Sequence, residues 1–314
     1  MRVFDAAATR AGLPFDRLIP ALAAMFARGC EVPPRHVHEI GAAAGDPALT
    51  SLLMPAWVPG ARYGVKIVNV APGNAARGLP GLHASYVLFD ATTGETLALI
   101  DGGEITARRT AAASALAARW LARADARHLL VVGAGRVATL LPHAYRAVRA
   151  IERVMVWARS PAKAQALAAH WREAGFDAEA ATDLAGAVAA ADIVSCATLA
   201  TEPLVQGGWL TPGSHLDLIG SFTPAMREAD DEALRGAALY VDTGEALAKS
   251  GELLGPLSRG VLSAADVRGT LAQLARGEAA GRRDAAERTV FKSVGTALED
   301  LAAAILVADG TVQP

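Results

Sequence analysis

Gly133-Ala134-Gly135-Arg136-Val137-Ala138 sets two glycines and a small residue at G-x-G-x-x-A spacing, directly after the apolar stretch Leu129-Leu130-Val131-Val132. That spacing suits an anion. Gly133 permits a tight turn out of a strand, and Gly135 lets the backbone approach a pyrophosphate. Ala138 lets the next helix pack closely, with its N-terminus towards the negative charge. Glycines alone are a weak signal. Here the context of a dinucleotide fingerprint is also present: an apolar strand before, a helix-compatible run from Val137 to Val148 after, and a second strand pattern from Arg153 to Trp157. A nucleotide cofactor follows, with Gly133, Ala134, Gly135, Arg136 and Val137 as candidate contacts.

The end of that second strand decides which nicotinamide cofactor is expected, because an NAD site places Asp or Glu there against the ribose 2′-hydroxyl. This chain reads Val156-Trp157-Ala158-Arg159-Ser160-Pro161-Ala162-Lys163, without an acid. A guanidinium, a hydroxyl and an ammonium stand where a 2′-phosphate would lie, and planar Arg suits phosphate well. Ala158, Arg159, Ser160 and Lys163 therefore favour NADPH, with NADH as the less favoured cofactor.

Four further segments carry polar groups where a plain core would not: Pro33-Pro34-Arg35, Gly64-Val65-Lys66, Thr106 to Ala112, and Gly220-Ser221-Phe222-Thr223-Pro224. Lys66 lies in the apolar run Val65-Lys66-Ile67-Val68-Asn69-Val70. An ammonium there needs an anionic partner or a role, and burial would lower its pKa. The plainer alternative turns Lys66 to solvent, with Asn69 as a bulge. Arg35, stiffened by two prolines, suits a carboxylate clamp, although alone it reads as a surface residue. Arg108-Arg109-Thr110 opens an alanine-rich helix, where cations are disfavoured by the helix dipole unless an anion binds. Gly220-Ser221 follows the strand His215 to Ile219, and Thr198 follows Ser195-Cys196-Ala197. Both turns stand at the carboxyl edge where open α/β sheets take ligands. Thr198, Ile219 and Ser221 are candidates there. His83 could relay a proton, but a structural role is the stronger reading.

The elements that must position these groups divide in two. Before about residue 115 the chain has helical periodicity from Leu18 to Phe26, with Asp16 as N-cap and Gly29 as stop. Strand patterns follow from Tyr63 to Ala71, Ser85 to Asp90 and Leu97 to Ile100. A helix from Ala112 to Ala122 bridges to the second region. From Leu129 strands and helices alternate, with strands Leu129–Val132, Arg153–Trp157, Ile193–Ala197, His215–Ile219 and Leu239–Asp242. Such alternation predicts an α/β fold, a doubly wound parallel sheet of Rossmann type. Near the end Val290, Val294, Leu298, Leu301 and Ile305 share one face of a predicted helix.

Composition fits an enzyme of this kind: 314 residues, 52% hydrophobic, net charge −2 with scattered basic residues. These numbers favour neither nucleic acid nor a membrane surface as a partner. No leader or membrane-spanning run is expected. Cys30 and Cys196 lack metal-ligand spacing, so no metal is expected, and reduced thiols imply a cytoplasmic protein.

Together Pro33-Pro34-Arg35, Gly64-x-Lys66, Thr106-x-x-Arg109-Thr110-Ala111-Ala112, the Gly-x-Gly turn and Thr289-Val290-Phe291-Lys292-Ser293-Val294-Gly295 resemble the ornithine cyclodeaminase/mu-crystallin family. The resemblance runs from about Pro33 to the C-terminal helix. It implies an α+β substrate-binding and dimerising domain (1–115 plus 290–314) and an inserted nucleotide domain (116–289), in a homodimer. Arg35, Lys66 and Arg109 match positions around the substrate carboxylate and nicotinamide. Arg109, Thr110, Lys292 and Ser293 match positions near the cofactor. The family holds cyclodeaminases, alanine dehydrogenases, ketimine reductases and a hormone-binding crystallin. Cyclodeaminases carry Asp where this chain has Ser221, and a lone hydroxyl is a poor base at neutral pH. The segment from Gly220 to Glu228 is similar to the branch that reduces Δ1-pyrroline-2-carboxylate to proline and Δ1-piperideine-2-carboxylate to pipecolate. That similarity implies hydride transfer to a cyclic imino acid in proline metabolism. Lys66 or Ser221 would govern the nitrogen's proton. Ornithine cyclodeaminase, alanine dehydrogenase and a crystallin-like NADPH-dependent binding protein are the alternatives.

Overall fold

A computed structural model describes residues 1–41 and 47–310, so residues 311–314 of the expected first domain lie outside the described residues. The chain opens with β1 (Arg2–Phe4), α1 (Ala6–Gly12) and α2 (Phe15–Arg28). It continues through β2 (His36–Ile40), β3 (Leu49–Val58), β4 (Arg62–Val70), β5 (Leu82–Asp90) and β6 (Thr96–Asp101) into the long helix α3 (Gly102–Leu121). The alternating part follows: β7 (His128–Val132), α4 (Arg136–Arg146), β8 (Arg153–Trp157), α5 (Pro161–Glu173), β9 (Asp177–Ala180), α6 (Leu184–Ala190) and β10 (Ile193–Cys196). Then come β11 (His215–Leu218), α7 (Asp231–Leu234), β12 (Ala238–Val241), α8 (Ala246–Lys249), α9 (Gly251–Ser258), β13 (Val267–Thr270), α10 (Leu271–Ala275), β14 (Thr289–Lys292) and α11 (Ala297–Asp309).

Two compact units result, Met1–Arg109 with Thr296–Pro314, and Thr110–Gly295. The changeovers lie inside α3 and just before α11, rather than at 115/116 and 289/290. Among the described residues no helix is long and apolar enough to cross a membrane.

The first unit is a six-stranded sheet in the order β1-β6-β5-β4-β3-β2. One face is covered by α11, which packs on β3, β4, β5 and β6 and against α2. Lys66, Val68, Tyr86, Leu88 and Ile100 are buried on that face. Lys66 is thus turned to the core, and β4 pairs with both neighbours without a bulge at Asn69. The solvent-facing alternative for Lys66 is excluded. Gly64 is explained by the same packing: a Cβ there would come within 2.2 Å of the Tyr86 hydroxyl, whose ring lies over the glycine. On the opposite face Pro55, Val65, Val87 and Leu99 form a cross-strand row that is only half-buried.

The second unit is an eight-stranded, all-parallel sheet in the order β13-β12-β14-β11-β10-β7-β8-β9. Sequence order reverses on either side of β7, which puts the topological switch point between β7 and β10, where such sheets open a crevice. Gly133 sits at that point with φ +122°, and a Cβ would lie 2.6 Å from the Ala197 carbonyl beyond β10. Only glycine satisfies both demands.

Three local expectations are corrected. Helix α2 starts at Phe15 with Pro14 as N-cap, and Asp16 lies in the first turn. Helix α3 starts at Gly102, so Arg108 and Arg109 lie well beyond its first turn, where the dipole acts, and Asp101 already accepts from the Glu104 N–H at 2.7 Å. Val290 and Val294 are not helical: Thr289–Lys292 is β14, inserted between β11 and β12. Its β-branched and aromatic residues are strand formers, and the Val290/Val294 spacing coincided with a helical repeat.

Candidate active site

A cleft of about 350 Å³ opens at the switch point. It is lined by the Gly133-Ala134-Gly135 turn, by Ala158, Arg159, Ser160 and Lys163 beyond β8, and by Thr198 and Leu199 beyond β10. Gly135 is the N-cap of α4, and a Cβ there would meet nothing within 4 Å, so the helix N-terminus is open to the cleft. The first turn of α4 holds no acid to compete for an anion. These features fit a dinucleotide. Arg136 and Val137 form the first residues of α4 beside the cleft. Ser160 is the N-cap of α5, accepting from the Lys163 N–H at 3.4 Å, with exposed Arg159 and Lys163 on either side. No carboxylate lines this end of the cleft.

Behind the cleft wall, buried carboxylates hold the turns at the sheet's carboxyl edge. Glu228 accepts from the Thr198 N–H at 2.7 Å and hydroxyl at 2.8 Å with one oxygen, and from the Gly220 N–H at 2.7 Å with the other. Burial raises the pKa of its carboxyl and Glu252 adds to the rise, while Lys292 and the Thr198 donors oppose it and favour the ionised form. Glu252 accepts from the Ser221 hydroxyl at 3.0 Å and from the Glu228 and Ala229 N–H groups at 2.8 and 2.9 Å. Ser221 is wholly buried. Its hydroxyl donates to Glu252 and lies 3.1 Å from the Ser250 hydroxyl, and it does not line the cleft. Lys292, in β14, donates to the Leu218 carbonyl at 2.7 Å, and burial lowers its pKa. Ser293 donates to Asp242 at 3.1 Å, whose carboxylate also accepts from the Val294 and Gly295 N–H groups. Lys292 and Ser293 thus anchor strand ends and do not line the cleft. Ile219 is buried at the end of β11, and Thr110 is half-buried in α3.

In the first unit the charges converge on α11. Lys66 Nζ lies 2.6 Å from one oxygen of Asp300, and Arg109 Nε donates to the other at 3.0 Å. Arg109 Nη1 donates to Glu299 at 2.6 Å. All four side chains are buried. Burial lowers the Lys66 pKa to about 8, with Asp300 opposing and Arg109 adding to the fall. For Asp300 burial works upward, but the two cations outweigh it and hold the carboxyl below its ordinary value. Arg108, the neighbour of Arg109, packs the first unit together by donating to the Leu13 carbonyl at 2.7 Å and lying over the Phe15 ring.

Arg35 is half-buried and directly precedes β2. His36 pairs with Leu53, and Leu53 with Ile67, so Arg35 stands two strands from Lys66 at the same level of the sheet. Two strand spacings are roughly 10 Å. His83 is exposed at the start of β5. Among the described residues no group of His, Cys, Asp and Glu could hold a metal ion.

Comparison with known proteins matches residues 19–313 to the ornithine cyclodeaminase/mu-crystallin family model. The chain belongs to this family. A Δ1-pyrroline-2-carboxylate reductase of Paracoccus denitrificans is 46% identical over 84% of each chain. Among solved structures, that of a Thermococcus litoralis Δ1-pyrroline-2-carboxylate reductase in complex with NADH and L-proline superposes with a TM-score of 0.91 at 32% identity, covering 98% of this chain and 97% of the other. An archaeal alanine dehydrogenase dimer with bound NAD also gives 0.91, at 28% identity over 99% and 96%.

Glu299, Asp300, Glu228 and Glu252 were missed in the sequence. One signal could have exposed the first two: adjacent acids in the otherwise apolar run Ala297-Leu298-Glu299-Asp300-Leu301-Ala302-Ala303. Acids so placed need cations, and Lys66 and Arg109 were the buried cations in need of anions.

Removing one member of a buried ion cluster leaves an uncompensated charge, at a cost of about 3–5 kcal/mol. Asp300→Asn should lose stability on that scale in urea unfolding, while Asp309→Asn, on the exposed end of the same helix, should change it by less than about 0.5 kcal/mol. Equal effects would mean that the cluster carries no special weight.

Proposed function

We propose that the protein reduces cyclic imino acids with NADPH, converting Δ1-pyrroline-2-carboxylate to L-proline and Δ1-piperideine-2-carboxylate to L-pipecolate. The observation that carries this reading is the buried ammonium of Lys66, held 2.6 Å from Asp300 and at sheet level with Arg35. An ammonium has three N–H donors and Asp300 occupies one face, which leaves donors for a substrate. The relatives named Δ1-pyrroline-2-carboxylate reductase support the same chemistry.

The first unit is the substrate-binding and dimerising domain. Arg35 and Lys66 hold the substrate carboxylate through charge-assisted bonds, and Arg109 keeps Asp300 in place behind Lys66. When bound in the second unit, the nicotinamide supplies a hydride to the C=N carbon. The substrate arrives as an iminium, so its nitrogen keeps the proton it brought and the product is a secondary amine. Lys66 and Arg35 neutralise the carboxylate next to that nitrogen and fix the ring's position, which makes orientation and electrostatics the enzyme's main contribution. The site of action we propose is the cytoplasm, where free Cys30 and Cys196 stay reduced.

The purified protein should oxidise NADPH when given either cyclic imine and should release no ammonia from ornithine. Because burial brings Lys66 down to about 8, its ammonium is lost as pH rises through that value, and kcat/KM should fall on the alkaline side. Lys66→Arg stays charged, so this alkaline limb should vanish from its profile whatever its residual rate. A limb that stays in place would belong to the substrate's own iminium.

For the cofactor, Arg159, Ser160 and Lys163 around the N-terminus of α5 favour the 2′-phosphate of NADPH. That group is remote from the transferred hydride, so its contacts are uniform binding and act on KM. Arg159→Ala should raise KM for NADPH roughly tenfold, on a scale of about 1.5–3 kcal/mol, with little change for NADH. A wild-type preference for NADH would overturn the assignment.

The half-buried row Pro55, Val65, Val87 and Leu99, beside the stacked Tyr63 and Phe89 rings 5.1 Å apart, is the face we assign to a homodimer. Light scattering should give twice the chain mass, and Val65→Asp should shift it towards monomer. A monomeric wild type would overturn the dimer.

A further inference from the structure

We infer that Glu228 is a positioning residue for the dinucleotide, acting through Thr198 by locking the turns beyond β10 and β11 to each other. The inference rests on the cleft being a dinucleotide site. Thr198 lines the cleft and Glu228 does not. Yet Glu228 takes both the N–H and the hydroxyl of Thr198 on one oxygen and the Gly220 N–H on the other. β10 and β11 are adjacent parallel strands, paired up to Cys196 and Leu218. Beyond those residues the ladder ends, and the carboxylate continues the connection between the two chains.

The neighbourhood is built around this bridge. A Cβ on Gly220 would come within 2.4 Å of a Glu228 oxygen and 2.0 Å of the Thr198 carbonyl, so the glycine keeps room for the carboxylate. Glu252 holds the N–H groups of Glu228 and Ala229, fixing the segment from which Glu228 reaches the edge. Lys292 supplies the positive charge that such a cluster needs. The Gly133 turn faces Ala197, the residue before Thr198, at a distance no side chain could share. A shift of Thr198 would therefore move both walls of the cleft.

Glutamine is the sharp test, because an amide cannot accept on both sides. One of its ends must present N–H to a donor, either at Gly220 or at Thr198. Binding of NADPH and of NADH would be followed by fluorescence titration in the wild type, Glu228→Gln, Thr198→Val and the double variant, with kcat and thermal midpoints alongside. Expected are about tenfold weaker dinucleotide binding for Glu228→Gln, a KM that rises more than kcat falls, and a double variant no weaker than Glu228→Gln alone. Thr198→Ser, which keeps the hydroxyl that Glu228 accepts from, should bind the dinucleotide more tightly than Thr198→Val. Binding of Glu228→Gln within twofold of wild type, or multiplicative losses in the double variant, would overturn the inference.

Should Glu228→Gln fail to fold, hydrogen exchange on the wild type decides instead. The Thr198 and Gly220 amides should be protected at least about a hundredfold before any dinucleotide is added. Exchange at the rate of open loops overturns the bridge. A wild type that binds neither NADPH nor NADH would overturn the dinucleotide reading itself, and the protection of those two amides would then report on the bridge separately.

Discussion

A charge removed from water must meet an opposite charge or several hydrogen-bond donors, and that constraint shapes both units of this protein. In the first, Lys66 and Arg109 are opposed by Asp300 and Glu299. In the second, Glu228, Glu252 and Asp242 are satisfied mainly by backbone N–H groups at strand ends, with Lys292 among them. The two solutions differ in consequence. Side-chain pairing fixes the direction of an ammonium, whereas carboxylates that collect backbone N–H groups fix the course of the chain.

The second solution suits a Rossmann-type edge. Strand pairing stops at Cys196 and Leu218, and the turns beyond carry the groups that face a ligand. Turns left to water would sample many conformations, and each ordering event on binding would cost entropy. Three buried carboxylates supply acceptors where the sheet no longer does. Ser221 belongs to this framework: burial and its bond to Glu252 make it a fastening point between the turn after β11 and α9.

Close approach is the second recurring device. Gly64 admits the Tyr86 ring beside Lys66, Gly133 admits Ala197 across the switch point, and Gly220 admits Glu228. In each case the missing side chain belongs to one element and the space is used by another. Glycine in these motifs therefore records a tertiary contact as much as a backbone conformation, and only Gly133 of the three needs a positive φ.

The sequence by itself determined what depends on neighbours along the chain. The G-x-G turn, the strand patterns from Leu129 to Trp157 and the acid-free end of β8 are local, and the parallel alternation they begin leaves few topologies open. It also marked Lys66 as a cation that needs a partner. Tertiary structure decided which partner. Asp300 lies far along the chain on α11, and although two acids in an apolar run signal a need for cations, nothing local says that Lys66 and Arg109 are the cations that meet them. β14 was hidden for a related reason: four residues carry too little periodicity to separate a buried strand from a helix, and only pairing with β11 and β12 defines it. The fate of Ser221 was equally non-local, because a hydroxyl becomes a fastening point or a reactive group according to what lies beside it, and Glu252 is brought there by the fold.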